Sequence, residues 1–273
     1  MKKIGIIGCG SMGSMMLHRF IQDKAVDPYQ VTVYCLDKPA LRVLKQQHPG
    51  VDIASSNGAL ARECRLIFIC VPPLAVKNVL EEIEPFLKPE AHLVSIAASV
   101  TLDHLQCRFN GKISRIVPSI TARVEHGVTL VCHNRHVRGE DADELAALFA
   151  RFCRVKVVDE VEMDVITNLT STAPGLIAAM LGEFVESGIR FSSLSRPEVE
   201  ELVVSTFYST SQLFHRHLLG FPEAVSQVAT RGGITEAGAQ LIRQKMPELF
   251  DDLFARTLEK FSEIRAEVSR QFI

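Results

Sequence analysis

The sequence predicts an α/β chain, in which an N-terminal doubly wound, mainly parallel sheet is followed by an all-α domain. Three observations predict it. Residues 3–13 read KIGIIGCGSMG, an apolar run that ends in a glycine turn and opens an amphipathic segment over residues 11–24. Apolar strand-like runs then alternate with helical spacing as far as Val158. Beyond Val158 the strand signal disappears and every segment has a helical period.

The strand-like runs are residues 4–7, 31–36, 51–54, 66–71, 92–97, 113–117, 128–132 and 155–158. Several are separated by helical patterns such as residues 39–47 and 74–87, as a crossover connection requires. The runs are apolar on both faces, which suits strands covered by helices on both sides. In the second half the helical segments are 160–190, 196–219, 222–229, 235–245 and 247–271. Pro197 and Pro222 stand where first helical turns belong, and Gly220 stands where a helix should stop. Residues 176–184 are apolar with few charges, a pattern that packs on all sides. In so small a helical domain this predicts burial against a second copy, hence a homodimer that could assemble further.

Gly8, Gly10 and Gly13 are spaced GxGxxG directly after the first run. A turn without side chains lets a diphosphate approach bare amides at the positive end of a helix dipole. The second run leads to Asp37, an acidic residue about 20 positions beyond the glycines, where a ribose hydroxyl partner belongs. This half is therefore predicted to be a Rossmann-like dinucleotide-binding domain, residues 1–159. The helical domain, residues 160–273, is predicted to carry dimerisation and substrate.

Composition excludes several classes. The chain has 273 residues and a formal net charge of −2, without the basic footprint of a nucleic-acid or anionic-membrane binder. No apolar run approaches the ~20 residues of a bilayer span. The seven cysteines are odd in number and never spaced CxxC, so they are expected as small buried hydrophobes in a reducing, cytoplasmic setting. His215 and His217 lie two apart and would point to different helix faces, while Cys132, His133 and His136 lack further donors. No metal site is expected.

In an open parallel sheet the ligand lies beyond the carboxyl ends of the strands, here segments 8–13, 37–39, 71–74, 97–99 and 118–121. A second glycine turn, Thr230-Arg231-Gly232-Gly233-Ile234-Thr235, runs into a helix and could hold a carboxylate with backbone amides. No lysine occurs between Lys156 and Lys245, which disfavours alcohol oxidation by a lysine on the first long helix. An imine makes a smaller demand, because its nitrogen can arrive protonated.

With these positions in hand, the chain resembles the pyrroline-5-carboxylate reductase family along nearly its whole length. GCGSMG resembles that family's GxGxMG, and Ser95-Ile96-Ala97-Ala98 its SIAAG strand end. Val117-Pro118-Ser119-Ile120-Thr121 stands where the family has MPNTP, and Gly127-Val128-Thr129 repeats its next step. Ser171-Thr172-Ala173-Pro174-Gly175 stands for GSGPA, and residues 230–235 for SPGGTT. Ser119, Leu176, Arg231 and Ile234 depart from the family pattern, and the VPSIT and GGIT variants look like its divergent late-competence ComER branch.

The resemblance implies an interleaved helical dimer and hydride transfer from a nicotinamide coenzyme, NADPH or NADH, to a cyclic imine bearing a carboxylate. It implies that Gly8, Gly10, Ser11, Met12 and Gly13 hold the diphosphate, and that Val71, Pro72, Pro73, Ala97 and Ala98 flank the nucleotide. Pro118 would lie near the nicotinamide. Thr230, Arg231, Gly232, Gly233 and Thr235 would bind the substrate carboxylate, in this or the partner subunit, with the Thr235 hydroxyl as proton donor to the ring nitrogen. Asp37 favours NADH by repelling a 2′-phosphate, and Lys38 and Arg42 offset it. The departures leave two alternatives, a reductase of another small imine and a dinucleotide-sensing interaction protein without catalysis.

Overall fold

The computed structural model describes residues 3–124 and 127–272. Strands β1 (Ile4–Ile7), β2 (Val31–Tyr34), β3 (Asp52–Ile53), β4 (Leu66–Ile69), β5 (His92–Ser95), β6 (Lys112–Val117), β7 (Gly127–His133) and β8 (Cys153–Val157) form a sheet in the order β3-β2-β1-β4-β5-β6-β7-β8. Pairing is parallel from β3 to β6, antiparallel between β6 and β7, and parallel again between β7 and β8. The expected doubly wound, mainly parallel sheet is thus present. Strand order reverses direction at β1, where the chain steps from β3 across to β4.

Helices α1 (Ser11–Gln22), α2 (Lys38–Gln47), α3 (Asn57–Glu63), α4 (Val76–Ile83), α5 (Leu102–Gln106) and α6 (Gly139–Phe149) connect the strands. One core packs Phe20 of α1 against Phe68 of β4, Phe149 of α6 and Phe152, with ring centroids 5.1–5.9 Å apart. The other core joins Leu60, Leu80, Ile83 and Leu93 with Met163 and Val268. Both sheet faces are therefore covered, which is why the central strands have no polar face.

The sheet ends at Val157, but the compact unit continues. It comprises Met1–Ala173 and Thr257–Ile273, and a second unit comprises Pro174–Arg256. Met163 and Val268, both in the expected helical half, are among the buried residues of the sheet core.

Three expectations about helices need correction. Residues 160–190, expected as one helix, form a short 3-10 turn, then α7 (Met163–Thr170) and α8 (Ala173–Arg190). The break has a local cause: Pro174 cannot supply the amide that would carry α7 onward, and Ser171 Oγ donates to the Pro118 carbonyl at 2.8 Å. The helix α9 (Arg196–His215) stops before Leu219, since His217 takes a positive φ. After α10 (Phe221–Val228), the expected segments 235–245 and 247–271 are one helix, α11 (Ile234–Phe272), with Pro247 inside it. An interior proline costs ~3 kcal/mol. The burial of Val268 in the sheet core, beside half-buried Ile264 and Phe272, contributes the offset.

Among the described residues, the stretch Glu160–Arg190 contains an 18-residue window, of mean hydropathy 1.3, long and apolar enough by length and composition to cross a membrane, contrary to the expectation that no run comes near that length. It is broken between α7 and α8, and α7 buries Met163 in the sheet core. In the second unit Phe184, Phe191, Leu202, Tyr208 and Phe221 are all exposed, and a groove on α8 and α9 is lined by Leu181, Phe184, Leu202 and Phe207. A large apolar surface of this kind marks an interaction face.

Candidate coenzyme cleft and glycine bend

The register Ile7↔Tyr34 and Ile7↔Ile69 ends β1, β2 and β4 level with one another. Gly8 donates to the Tyr34 carbonyl at 2.8 Å and Cys70 to the Ile7 carbonyl at 2.7 Å, so the three strand ends meet. A cleft of about 410 Å³ opens over them. Of the residues expected there, Gly8, Gly10, Asp37, Val71 and Pro72 line it.

The three glycines have separable reasons. Gly8 has φ +101°, and a Cβ on it would sit 2.5 Å from the Cys70 carbonyl oxygen. At Gly13 a Cβ would lie 2.2 Å from the Gly8 carbonyl oxygen, so the residue lets α1 pack onto the turn. A Cβ on Gly10 meets nothing within 4 Å. Nothing within the fold requires glycine at position 10, and the open space beside it leaves room for a ligand. Gly10 is the N-cap of α1 and no side chain caps it, which leaves the first-turn amides of Ser11, Met12 and Gly13 without intrahelical partners.

The cleft contains residues the sequence did not single out. Asn57, Asn78, Val79 and Glu82 form one wall. Asn57 is 6 % exposed and donates through Nδ2 to Glu82 at 2.7 Å, while its Oδ1 has no partner. A buried acceptor left without a partner is uncommon, and this one belongs to a residue that lines the cleft. A residue so far from the glycine motif gives no local sequence signal.

The remaining expected residues have other surroundings. Ser11 is exposed on the first turn of α1, Met12 packs against the first core, and Pro73 opens a short 3-10 turn after β4. Ala97 is buried and Ala98 half-buried just beyond β5. Pro118 is buried, its carbonyl held by Ser171. Ser119 is 1 % exposed and donates to the Thr170 carbonyl at 3.1 Å, so it clamps the loop after β6 onto α7. Asp37 caps α2 by accepting from the Ala40 amide at 3.0 Å and remains exposed. Cys9 and Cys70 also line the cleft; burial pushes both thiols up, Cys70 to about 12, so neither is a nucleophile at neutral pH.

The second glycine turn lies in the second unit. Gly232 has φ +73° with open space around it, and Gly233 tucks beneath Thr230, donating to its carbonyl at 2.8 Å. The Gly232 amide donates to the Glu236 carboxylate at 2.5 Å. Thr235, on the first turn of α11, is exposed, as are Thr230 and Arg231.

Comparisons with known proteins agree with these features. Residues 3–99 match the family described as NADP oxidoreductase, coenzyme F420-dependent, and residues 160–264 match pyrroline-5-carboxylate reductase dimerisation. The chain is 36 % identical to pyrroline-5-carboxylate reductase 3 of Bacillus subtilis (strain 168), over 99 % of this chain and 100 % of that protein. It is 25 % identical to ComE operon protein 4 of the same organism, over 99 % of both. Among solved structures, the fold resembles a pyrroline-5-carboxylate reductase from Coxiella burnetii (TM-score 0.86, 20 % identity, 96 % and 98 % covered). It also resembles the Plasmodium falciparum pyrroline carboxylate reductase with NADP bound (TM-score 0.83, 22 % identity, 97 % of both). The dimerisation match makes the chain one that assembles with its own copies. A glycine turn with room for a diphosphate, an orphaned acceptor beside it, and full-length likeness to one reductase lead to one conclusion: the chain belongs to the pyrroline-5-carboxylate reductase family and is an NAD(P)H-dependent oxidoreductase of that kind.

Proposed function

We propose that the protein reduces pyrroline-5-carboxylate to L-proline. The observation that carries this reading is the 36 % identity to pyrroline-5-carboxylate reductase 3 along the whole of both chains. The geometry agrees in one particular: the amide of Gly232 already holds a carboxylate, that of Glu236, at the bend where the substrate carboxylate would bind.

In this reading the first-turn amides of Ser11, Met12 and Gly13 and the open face of Gly10 hold the diphosphate. Val71, Pro72, Pro73, Ala97 and Ala98 flank the nucleotide, Asn57 accepts from its base, and Pro118 lies by the nicotinamide. When bound, the reduced coenzyme supplies a hydride to the imine carbon. Gly232 and Gly233 present amides to the substrate carboxylate, and Thr230 and Arg231 add donors. As hydride adds to the imine carbon and the double bond becomes a single bond, a lone pair returns to the ring nitrogen, and the Thr235 hydroxyl donates to it. We assign residues 1–159 to the coenzyme and residues 160–273 to assembly and substrate, the latter supported by the match over residues 160–264. The assembly is a homodimer formed through the helical domain, in the cytoplasm. Asp37 opposes a 2′-phosphate while Lys38 and Arg42 attract it, so NADPH and NADH both enter the test.

The test is oxidation of NADPH and of NADH, in parallel, on adding pyrroline-5-carboxylate. Turnover with one coenzyme is expected, and Thr235→Ala should lower kcat on the order of 10²-fold with an unchanged circular dichroism spectrum. Coenzyme binding without turnover of this imine would remove the proposal. A second reading, reduction of a different small imine, is favoured by Ser119, whose hydroxyl is fully engaged with the loop and α7 where the family has an asparagine. Imino acids of other ring sizes distinguish the two.

A further inference from the structure

Between α1 and α2 lies a hollow of about 630 Å³, larger than the coenzyme cleft. Its polar lining is one-sided. Arg19 and the exposed Arg123 are there, His18 and His48 face one another across the two helices with ring centroids 5.6 Å apart, and Gln22 and Gln47 add amides. No aspartate or glutamate lines it among the described residues. The apolar part is supplied by Met15, Val43 and Leu44.

Arg19 is the informative residue. It is 7 % exposed, its Nε pairs with Asp23 at 2.9 Å, and its guanidinium stands 5.2 Å from the centre of the Phe152 ring. Its Nη2 is buried without any acceptor. A buried guanidinium N–H left unpaired is costly, and a small rotation of the Arg19 side chain that brings Nη2 to the edge of the hollow would let an anion remove that cost with a charge-assisted bond. Arg123 supplies a second cation from the turn after β6, reaching Ser11 Oγ at 3.5 Å.

We propose that this hollow is a second anion site, on the other side of Ser11 from the coenzyme cleft, which takes a small organic phosphate or carboxylate. Arg19 and Arg123 neutralise the charge, the glutamine amides orient it, and the methionine, valine and leucine side chains cover the organic body. A bare inorganic ion would leave that apolar surface uncovered.

Calorimetric titration of the full-length protein, saturated with NADPH, with phenyl phosphate and separately with benzoate tests the site. At least one of the two should bind, and whichever binds identifies the head group. Gln47→Glu places a carboxylate in the hollow and Arg123→Gln removes a cation, both at exposed positions that leave folding intact. Each should weaken binding tenfold or more, and Gln47→Glu, away from the diphosphate turn, should leave NADPH affinity within about twofold. Silence from both compounds, equal binding by wild type and both variants, or binding that NADPH abolishes would each overturn the proposal.

Discussion

The carboxylate of Glu236 accepts a hydrogen bond from the backbone amide of Gly232 at 2.5 Å, across the bend that leads into α11. In the proposed function an incoming substrate carboxylate would compete with this internal one for the same donor. Removing the competitor should favour substrate by about 1 kcal/mol, the worth of one such bond. Glu236→Ala is therefore expected to lower KM for the imino acid about fivefold with kcat unchanged. Steady-state kinetics across a substrate series checks it, and a raised KM contradicts it.

Gly10 and Gly13 should fail in different ways. Alanine at Gly13 forces a methyl to within 2.2 Å of the Gly8 carbonyl oxygen, an overpacking that costs about 1–3 kcal/mol or more. Alanine at Gly10 meets open space at φ −68° and ψ −174°, a conformation any residue adopts. Gly10→Ala should keep its melting temperature to within a few degrees yet bind coenzyme about tenfold more weakly or worse. Thermal unfolding and nicotinamide fluorescence titration on both variants give the comparison; equal loss of coenzyme affinity and stability in both refutes it.

Glu160 carries a fold-level burden. Its carboxylate pairs with Arg115, which is 3 % exposed, and accepts the Leu102 amide at 2.7 Å. Removing it strands a buried guanidinium. Glu160→Ala is expected to cost about 3 kcal/mol, the low end for a broken buried pair because Glu160 itself is partly exposed. Urea unfolding measures this, and a loss below about 1 kcal/mol would show that water reaches Arg115.

A relay of His92, Ser114 and His133 crosses β5, β6 and β7, with both Ser114 contacts at 2.7 Å. Burial holds His92 down, to about 4 from its ordinary 6.5, and burial lowers His133 as well. The folded state therefore resists protonation that the unfolded chain accepts. Stability from His92 is complete above pH 6.5 and is lost as pH falls from 6.5 towards 4, by about 3 kcal/mol in all. His92→Gln should flatten that part of the stability profile. A variant as steep as wild type in denaturant midpoints between pH 6.5 and 4 would exclude His92 as its source.

The strands, the glycine turn and most helices of the sheet half were legible because each is written in adjacent residues. Gly8, Gly10 and Gly13 sit next to their strand, and β1 spans the very residues of the expected run. The family was legible too, from ordered motifs. Asn57 was not, because its value as an acceptor arises only when Glu82, 25 residues later, takes its amide. The interruption at Ser171 had a local sign in Pro174, but the bond that holds it, from the Ser171 hydroxyl to Pro118, 53 residues away, had none. The proposal of a sensing protein without catalysis rested on Ser119 and Arg231, and membership of this oxidoreductase family leaves it without support.

By itself the sequence determined which segments are strands or helices and that a diphosphate-sized gap follows the first strand, since periodicity and missing side chains act within a few residues. Only tertiary structure decided that Pro247 stays inside α11, that Ser119 is a clamp, and that Arg19 keeps an unpaired donor beside a hollow. These depend on which groups meet across long stretches of chain, and burial in packed cores, unlike local preference, sets that outcome.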